Sequence, residues 1–493
     1  MFEALRRWKA IGLNSGGASK PRLSAVGVDL PLEETAEAIP AADGATGWAG
    51  AERPVIGVWS EIPPHGRWSH EGISRVVGFM IEGGARLGLF KFVVVVRTGM
   101  AAQVTADLRH LHATERRDWD VVEKPADFVA ELTPEQEEVV RSFRVERDCA
   151  LQAIFANRHV PVDGWIVTFP QMTGAALLTT RRATMLPDAI PFDFPLGWKE
   201  EKYWGAEGEW AVWRRIAGLA LRTSDVIIAH STHVAARHGV KVLGCDPNHI
   251  RVVPHAPPDL IHLVPEAEGR RRTPASLAAA ASRLRNHAAR ADWRYLSDFP
   301  FEEVPYIVVS TQDRPTKNIN RAAQAMASLL RQDFTDIKLF MTAGLHWGAD
   351  WTLLPSMVEA EGLRFDVVSM RDLPREAHAA LYHCAAVTVH PSYYEGIVGT
   401  LTFYESVSVG TPCVFARGPH VGELLEEHPA LARSVFDPYD LEGLKICLRD
   451  AMNNREEVLA LQQRACAQLR ERSWDIVARV YAETAIGRTL TES

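Results

Sequence analysis

At 493 residues the chain is longer than one ordinary hydrophobic core organises, and it divides most naturally into two globular domains. It is 47% hydrophobic and 24% charged with a formal net charge of -8, which excludes the strong basic field of a nucleic-acid binder. Six dispersed cysteines without a CxxC pair exclude a zinc ribbon or a disulfide framework and read as small buried residues of a reducing, cytoplasmic compartment. No apolar run reaches the ~18 residues of a membrane span.

The first stretch, MFEALRRWKAIGL, lacks the apolar core and cleavage site of a secretory signal. Phe2, Leu5, Trp8 and Ile11 can line one side of a short helix, with Arg6, Arg7 and Lys9 on another. Residues 1–13 are therefore compatible with peripheral attachment to an anionic inner membrane face. The alternative is a frayed terminus leading into residues 14–50, a flexible extension rich in Gly, Ala, Ser and Pro.

From Pro54 onward short apolar runs alternate with helical stretches, the signature of a parallel sheet with crossover helices. VIGVWS (55–60) predicts a strand, residues 72–88 a helix, and FKFVVVVRT (90–98) a strand buried on both faces. Further strands are expected at 163–170, 176–185, 224–231 and 249–258, with a helix over 205–223, giving a first domain over 51–261. Residues 262–300 are polar and Ala-rich without a strand signal, and read as a linker or insertion. Strands at 304–311, 336–344, 364–370, 386–392 and 411–416 alternate with helices at 318–332, 351–361, 375–384 and 400–409, giving a second domain over 301–472. Ligands of open α/β sheets bind at the carboxyl ends of the strands, so two such units facing across a cleft suit a two-substrate reaction.

The chemistry concentrates in HPSYYEGIVGTLTFYESVSVGTPCVFA, 390–416. A strand ends at Pro391, a loop carries Glu395, Gly396, Ile397, Val398 and Gly399, and Thr400 is placed to cap a helix that holds Glu405. The unpaired N–H groups and positive end of that helix favour a phosphate, which the two glycines would let close to the main chain. Glu405 is then placed for a ribose diol and Glu395 for sugar hydroxyls, with Arg314 and Lys317 of STQDRPTKN (310–318) as cations for a diphosphate. Taken singly, a helical glutamate or a loop lysine is more often a solvated surface group; their joint placement at strand ends of one sheet points to a nucleotide sugar.

At these residues the sequence resembles the retaining family-4 glycosyltransferases. PSYYEGIVGTLTFYESVSVGTPCV follows the family pattern PSxxEGFGLPxLEAxAxGTPVV at both ends, with nine residues between the glutamates where the family has seven. GISRVV (72–77) is similar to the family's glycine loop, making Gly72 the candidate for donor phosphate and acceptor, and 473–484 resembles its last helix. MLPDAIPFDFP (185–195) is similar to the HDLIPLxxP segment of a mannosyltransferase-like subgroup, with Pro187 in place of His and Asp188 retained. The resemblance implies an α/β GT-B fold of two Rossmann-like domains, with a C-terminal helix (473–493) crossing back to the first. It implies transfer of a hexose, with a lean to mannose, from a nucleotide-diphosphate sugar to a glycan or glycolipid acceptor of surface polysaccharide synthesis. Glu395 and Asp188 are its catalytic candidates; Gly72, Arg314, Lys317, Gly396, Ile397, Val398, Gly399, Thr400 and Glu405 would hold the donor, and no cofactor or metal is expected. His230 and His255, near strand ends, are weaker candidates. The rivals are a catalytically silent GT-B scaffold, an epimerase and a phosphorylase; the last two are disfavoured by the Arg/Lys loop with its crossing helix and by the lack of a pyridoxal signature.

Overall fold

The computed structural model describes residues 53–491 except 65–67, 69–70, 110, 112–113, 116–117, 194–208, 313, 334 and 346–353. Residues 1–52, with the expected membrane-binding segment, lie outside the described residues.

The first sheet has seven parallel strands: β1 (Val55–Trp59), β2 (Lys91–Val96), β3 (Trp119–Glu123), β4 (Gly164–Val167), β5 (Arg182–Leu186), β6 (Val226–Ala229) and β7 (Ile250–Val252), in the order 3-2-1-4-5-6-7. The second has six, β8 (Tyr306–Val309), β9 (Lys338–Met341), β10 (Val367–Ser369), β11 (Val387–His390), β12 (Cys413–Ala416) and β13 (Val435–Phe436), in the order 10-9-8-11-12-13. Both have the topology of a doubly wound nucleotide-binding domain. Helices cover both faces, which explains why the KFVVVV strand carries an almost unbroken valine run and is buried along its length after Lys91. All six cysteines are buried and free, as small apolar residues of these cores.

Besides β13, which the sequence reading did not include, three features differ from the sequence expectation. β3 was not anticipated because WDVVE mixes acids with valines, the pattern of an edge strand rather than a buried one. The strand expected over 176–185 begins at Arg182, and Thr173–Leu177 before it forms a short 3₁₀ turn. Residues 262–300 are not a bare connection: the Pro274–Arg290 helix starts at a Thr273/Ser276 capping box and buries Ala280, Ala281, Leu284 and Ala288 in one core with Tyr306, Phe340, Leu381 and Tyr382.

The chain returns to its start at the end. The Trp474–Ile486 helix, capped by Ser473, contributes Trp474, Val477, Tyr481 and Ala485 to the first domain's core beside the Gly72–Leu87 helix. Gly83 and Gly164 make this approach close, since a Cβ on them would stand 2.3 Å from the Trp474 carbonyl and 2.2 Å from that of Ala485. Among the described residues no helix is long and apolar enough to cross a membrane.

Candidate functional site between the two sheets

The carboxyl edges of the two sheets meet. Pro187 and Asp188 follow β5, Ser231 follows β6, and both segments face the loop after β11: Ser231 Oγ donates to the Gly396 carbonyl at 3.1 Å. A Cβ on Gly396 would lie 1.9 Å from the Pro187 carbonyl oxygen. Glycine at 396 thus admits the other domain's backbone, which corrects the expectation that it clears space for a phosphate. Gly399 has a second reason too: its φ is +72° and its Cβ would meet the Tyr404 hydroxyl at 2.5 Å. Its N–H is already bonded to the His420 carbonyl at 2.8 Å, so it is not an anion donor.

Thr400 caps the Leu401–Ser408 helix, its hydroxyl accepting from the Phe403 N–H at 3.0 Å. The Leu401 and Thr402 amides precede the first intrahelical bond and form the electropositive end of the helix. Between the two glycines Ile397 is partly exposed, while Val398 is buried in a core with Phe403, Tyr404 and Leu424.

Glu395 is the centre of the charge arrangement. Lys317 Nζ and His390 Nε2 both meet its Oε1, at 2.5 and 2.9 Å, and only 19% of its side chain is exposed. Burial works to raise its pKa, yet Lys317 and His390 outweigh it and hold the carboxyl well below the ordinary range. Asp188 behaves oppositely: burial raises its pKa against the opposing pull of His238, the Ile190 N–H and Lys317. One site therefore holds a firmly ionised carboxylate from the second domain and a more readily protonated one from the first, the separation that assigns different roles to two acids. Arg314, with Asp188 and Glu395 in its field, stands 3.9 Å from Glu71, the residue before Gly72; Gly72 itself opens the first helix, exposed at the gap.

Glu405 is 1% exposed and faces the gap, but it is engaged: Arg75 of the first domain's Gly72–Leu87 helix forms an ion pair with Oε1, and the Tyr382 hydroxyl donates to Oε2 at 3.3 Å. A ribose would meet a carboxylate already shared with Arg75. His230 and His255 are packed against each other: their rings lie 4.1 Å apart, and His255 Nε2 pairs with Tyr481 of the returning helix at 3.2 Å. Burial brings His230 to about 3, so it is neutral.

Two groups escaped the sequence reading. His390 was visible only as the last residue of a strand, without a sign that it would hold Glu395. Asp193 accepts from His238 Nε2 at 2.6 Å, His233 Nε2 at 3.0 Å and Arg237 Nε at 2.9 Å, and their pull outweighs burial to hold its carboxyl far below the ordinary range. Asp193, His233 and His238 have the spacing of a metal triad. Yet the Ala189 N–H donates to His238 Nδ1 at 2.9 Å, which puts that ring's proton on Nε2, and Arg237 adds a cation. The triad is a hydrogen-bonded brace for the 186–193 segment that carries Asp188.

Residues 297–468 match the family model described as Glycosyl transferases group 1, a span that covers the second sheet. HepE of Anabaena, solved in complex with UDP-glucose, shares 14% identity with a TM-score of 0.57, covering 88% of this chain and 99% of its own. Sucrose-phosphate synthase of Thermosynechococcus elongatus gives 14% and 0.59 over 86% and 96%. An E. coli structure described as trehalose-6-phosphate bound with UDP-2-fluoro glucose gives 13% and 0.54 over 88% and 99%. A search of curated proteins gives no match. Likeness at such identity carries the fold, and the family match carries the activity: the protein is a glycosyltransferase of GT-B architecture.

Proposed function

We propose that the chain transfers a hexose, with retention and without a metal, from a nucleotide-diphosphate sugar to a glycan or glycolipid acceptor. The observation that supports this best is the meeting of Lys317, Arg314 and Glu395 from the second domain with Asp188 from the first. Negative charge grows on a departing diphosphate, and Arg314, Lys317 and the Leu401–Ser408 helix start offset it. Ionised Glu395 lies beside the cations and stabilises positive charge at the sugar ring. Front-face attack, with the leaving phosphate taking the acceptor proton, requires no protein nucleophile. Asp188 orients the acceptor or the donor sugar. The HepE complex holds UDP-glucose, whereas the 185–195 resemblance leans to mannose, so UDP-hexoses and GDP-mannose are the donors of choice. Residues 1–13 would bring the enzyme to the cytoplasmic face of a membrane, where surface polysaccharide is assembled.

One observation favours a second reading: Glu405 and the Gly399 amide already have partners. Were these pairs permanent, the chain would be a silent GT-B scaffold. Incubation with UDP-, GDP- and dTDP-hexoses decides between them. Turnover or a rise in Tm with one nucleotide is expected; neither with any donor leaves the scaffold reading.

A further inference from the structure

A second polar cluster lies at the carboxyl ends of β1 and β2, apart from the Glu395 site. Glu61, two residues beyond β1, is half-buried, and its Oε1 is held by the Trp59 indole N–H (2.7 Å) and the Gly174 N–H (2.8 Å). Residue 174 must be glycine for this: a Cβ there would stand 2.8 Å from Glu61 Oε1 and 3.0 Å from the Cys149 carbonyl. Beside Glu61, Gln152 is fully buried with its Nε2 donating to the Ser60 carbonyl at 3.4 Å. That bond sets the amide at the same corner, and Gln152 Oε1 has no partner among the described residues. Nor has Ser60 Oγ, on a residue 1% exposed, while Arg97 Nε, just beyond β2, makes no hydrogen bond and has only the distant Asp148 carboxylate, at 3.8 Å. Buried polar groups are almost always hydrogen-bonded, so a cluster of such atoms around an anchored carboxyl marks a place where a polar ligand completes the set.

We propose that Ser60, Glu61, Arg97 and Gln152 bind hydroxyl groups of an uncharged carbohydrate acceptor. The chemistry of the set is mixed: a carboxyl, an amide oxygen, a hydroxyl that can donate or accept, and a guanidinium N–H. Sugar hydroxyls, donors and acceptors at once, match such a mixture. The charges are balanced within the protein, which disfavours an anionic sugar phosphate. Arg97 pairs with Glu146 at 2.9 Å and has Asp148 3.8 Å from Nε, while Lys124 pairs with Asp148 at 3.2 Å. Burial lifts the Glu61 carboxyl to about 7 against the Trp59 and Gly174 bonds and the Arg97 charge, so near neutrality it can also donate. The position suits an acceptor: β4 separates β1 from β5 in the sheet, so two strand spacings, roughly 10 Å, part this cluster from the Asp188 segment on the same edge.

This rests on the reading of the chain as a transferase to a carbohydrate, and the test is binding, not turnover. Saturation-transfer NMR on the full chain would be run with methyl α-glucoside, methyl α-mannoside, maltose, cellobiose and glucose 6-phosphate, and affinities for UDP, GDP and dTDP measured separately by calorimetry. A neutral glycoside is expected to bind, and Ser60→Ala and Glu61→Gln to weaken it about tenfold each. Ser60→Ala removes a hydroxyl that bonds nothing among the described residues, so its Tm should hold and loss of fold cannot mimic the result. The proposal is overturned if no neutral glycoside binds, if only the sugar phosphate binds, or if binding is undiminished in both variants. If a neutral glycoside binds and responds to the variants but none of UDP, GDP and dTDP binds, the acceptor proposal stands and the donor reading fails.

Discussion

Arg75 and Glu405 form an ion pair between the two domains, in which a residue of the first domain's opening helix reaches the carboxylate expected to read the donor's ribose. Glu405 is almost wholly enclosed and Tyr382 holds its other oxygen, so the pair both closes the gap and occupies a binding group. Breaking a fully buried pair costs about 3–5 kcal/mol. Arg75 keeps 34% of its side chain exposed, which reduces the expected loss for Arg75→Ala to roughly 1–3 kcal/mol. The double variant Arg75→Ala/Glu405→Gln should lose less than the sum of the two singles, measured by chemical denaturation; strict additivity would mean the groups do not interact. Glu405→Ala should also weaken nucleotide binding, by about tenfold or more in calorimetry, for want of a charge-assisted bond.

Lys317 is the cation nearest Glu395, and its loss should be felt in the chemical step more than in donor binding. Replacing it with alanine is expected to lower turnover about 10²–10³-fold, with a smaller change in the donor KM. Without the Lys317 charge the buried Glu395 carboxyl is less firmly ionised, so the acid limb of the pH–rate profile should move to higher pH. An unchanged rate and profile in Lys317→Ala would remove this residue from the reaction.

Gly396 tests the apposition of the domains. Alanine there would drive a Cβ into the Pro187 carbonyl, backbone against backbone, so the gap must widen. Gly396→Ala is expected to lose transfer while keeping both domains folded, with a larger radius of gyration in solution scattering. Gly422, inside the Pro419–Glu427 helix with nothing within 4 Å of an added Cβ, is the control and should accept alanine with no loss of stability. A fully active Gly396→Ala would show that this contact is dispensable.

Acid should destabilise the protein before its carboxylates titrate. Burial brings His230, His378 and His420 to about 3, so the native state keeps them neutral while an unfolded chain protonates them below about 6.5. Their stability contribution is therefore whole above 6.5 and falls as the pH drops towards 3. Glu61 opposes this, since a carboxyl raised to about 7 stabilises the native state at low pH and loses that effect between 4.5 and 7. Burial holds His255 well below its ordinary value too, so the histidines outnumber the one glutamate by at least two protons, or about 2.7 kcal/mol or more per pH unit near pH 5.5. Denaturation midpoints at pH 5.0 and 6.5 would reveal it; equal values would mean these rings are not held neutral.

The alternation of apolar runs and helical periods carried both parallel sheets, because strands covered on both faces advertise themselves by composition. Edge elements did not: β3 mixes acids with its valines, and β13 is two residues long. Within the site, local grammar was legible where the cause is local, as at Thr400, whose hydroxyl caps the helix it precedes. What depends on the other domain was not. Gly396 reads as phosphate clearance until Pro187 is found against it, and Arg75 is an ordinary helical arginine until the fold brings Glu405 to it. Asp193 stands 40 residues before His233, with the Glu209–Arg222 helix and β6 between them, so no spacing in the sequence announces their contact.

The returning helix makes the first domain's stability depend on the last residues of the chain. Trp474, Val477 and Tyr481 are buried in the first core, Trp474 packing on Phe79 with ring centroids 5.0 Å apart. At about 1.5–3 kcal/mol for each large apolar side chain, these three account for roughly 5–9 kcal/mol, the size of a whole domain's stability. Ending the chain before Ser473 should therefore unfold the first domain and spare the second, whose cores contain no residue of that helix. Gly83→Val should act in the same direction without shortening the chain, since its side chain would strike the Trp474 carbonyl. Limited proteolysis should then cut within residues 53–261 and leave the rest protected. Protection of both halves in the truncated protein would mean that the helix is an ornament on a self-sufficient core, and that the docking of Tyr481 against His255 contributes nothing to holding the first sheet in place.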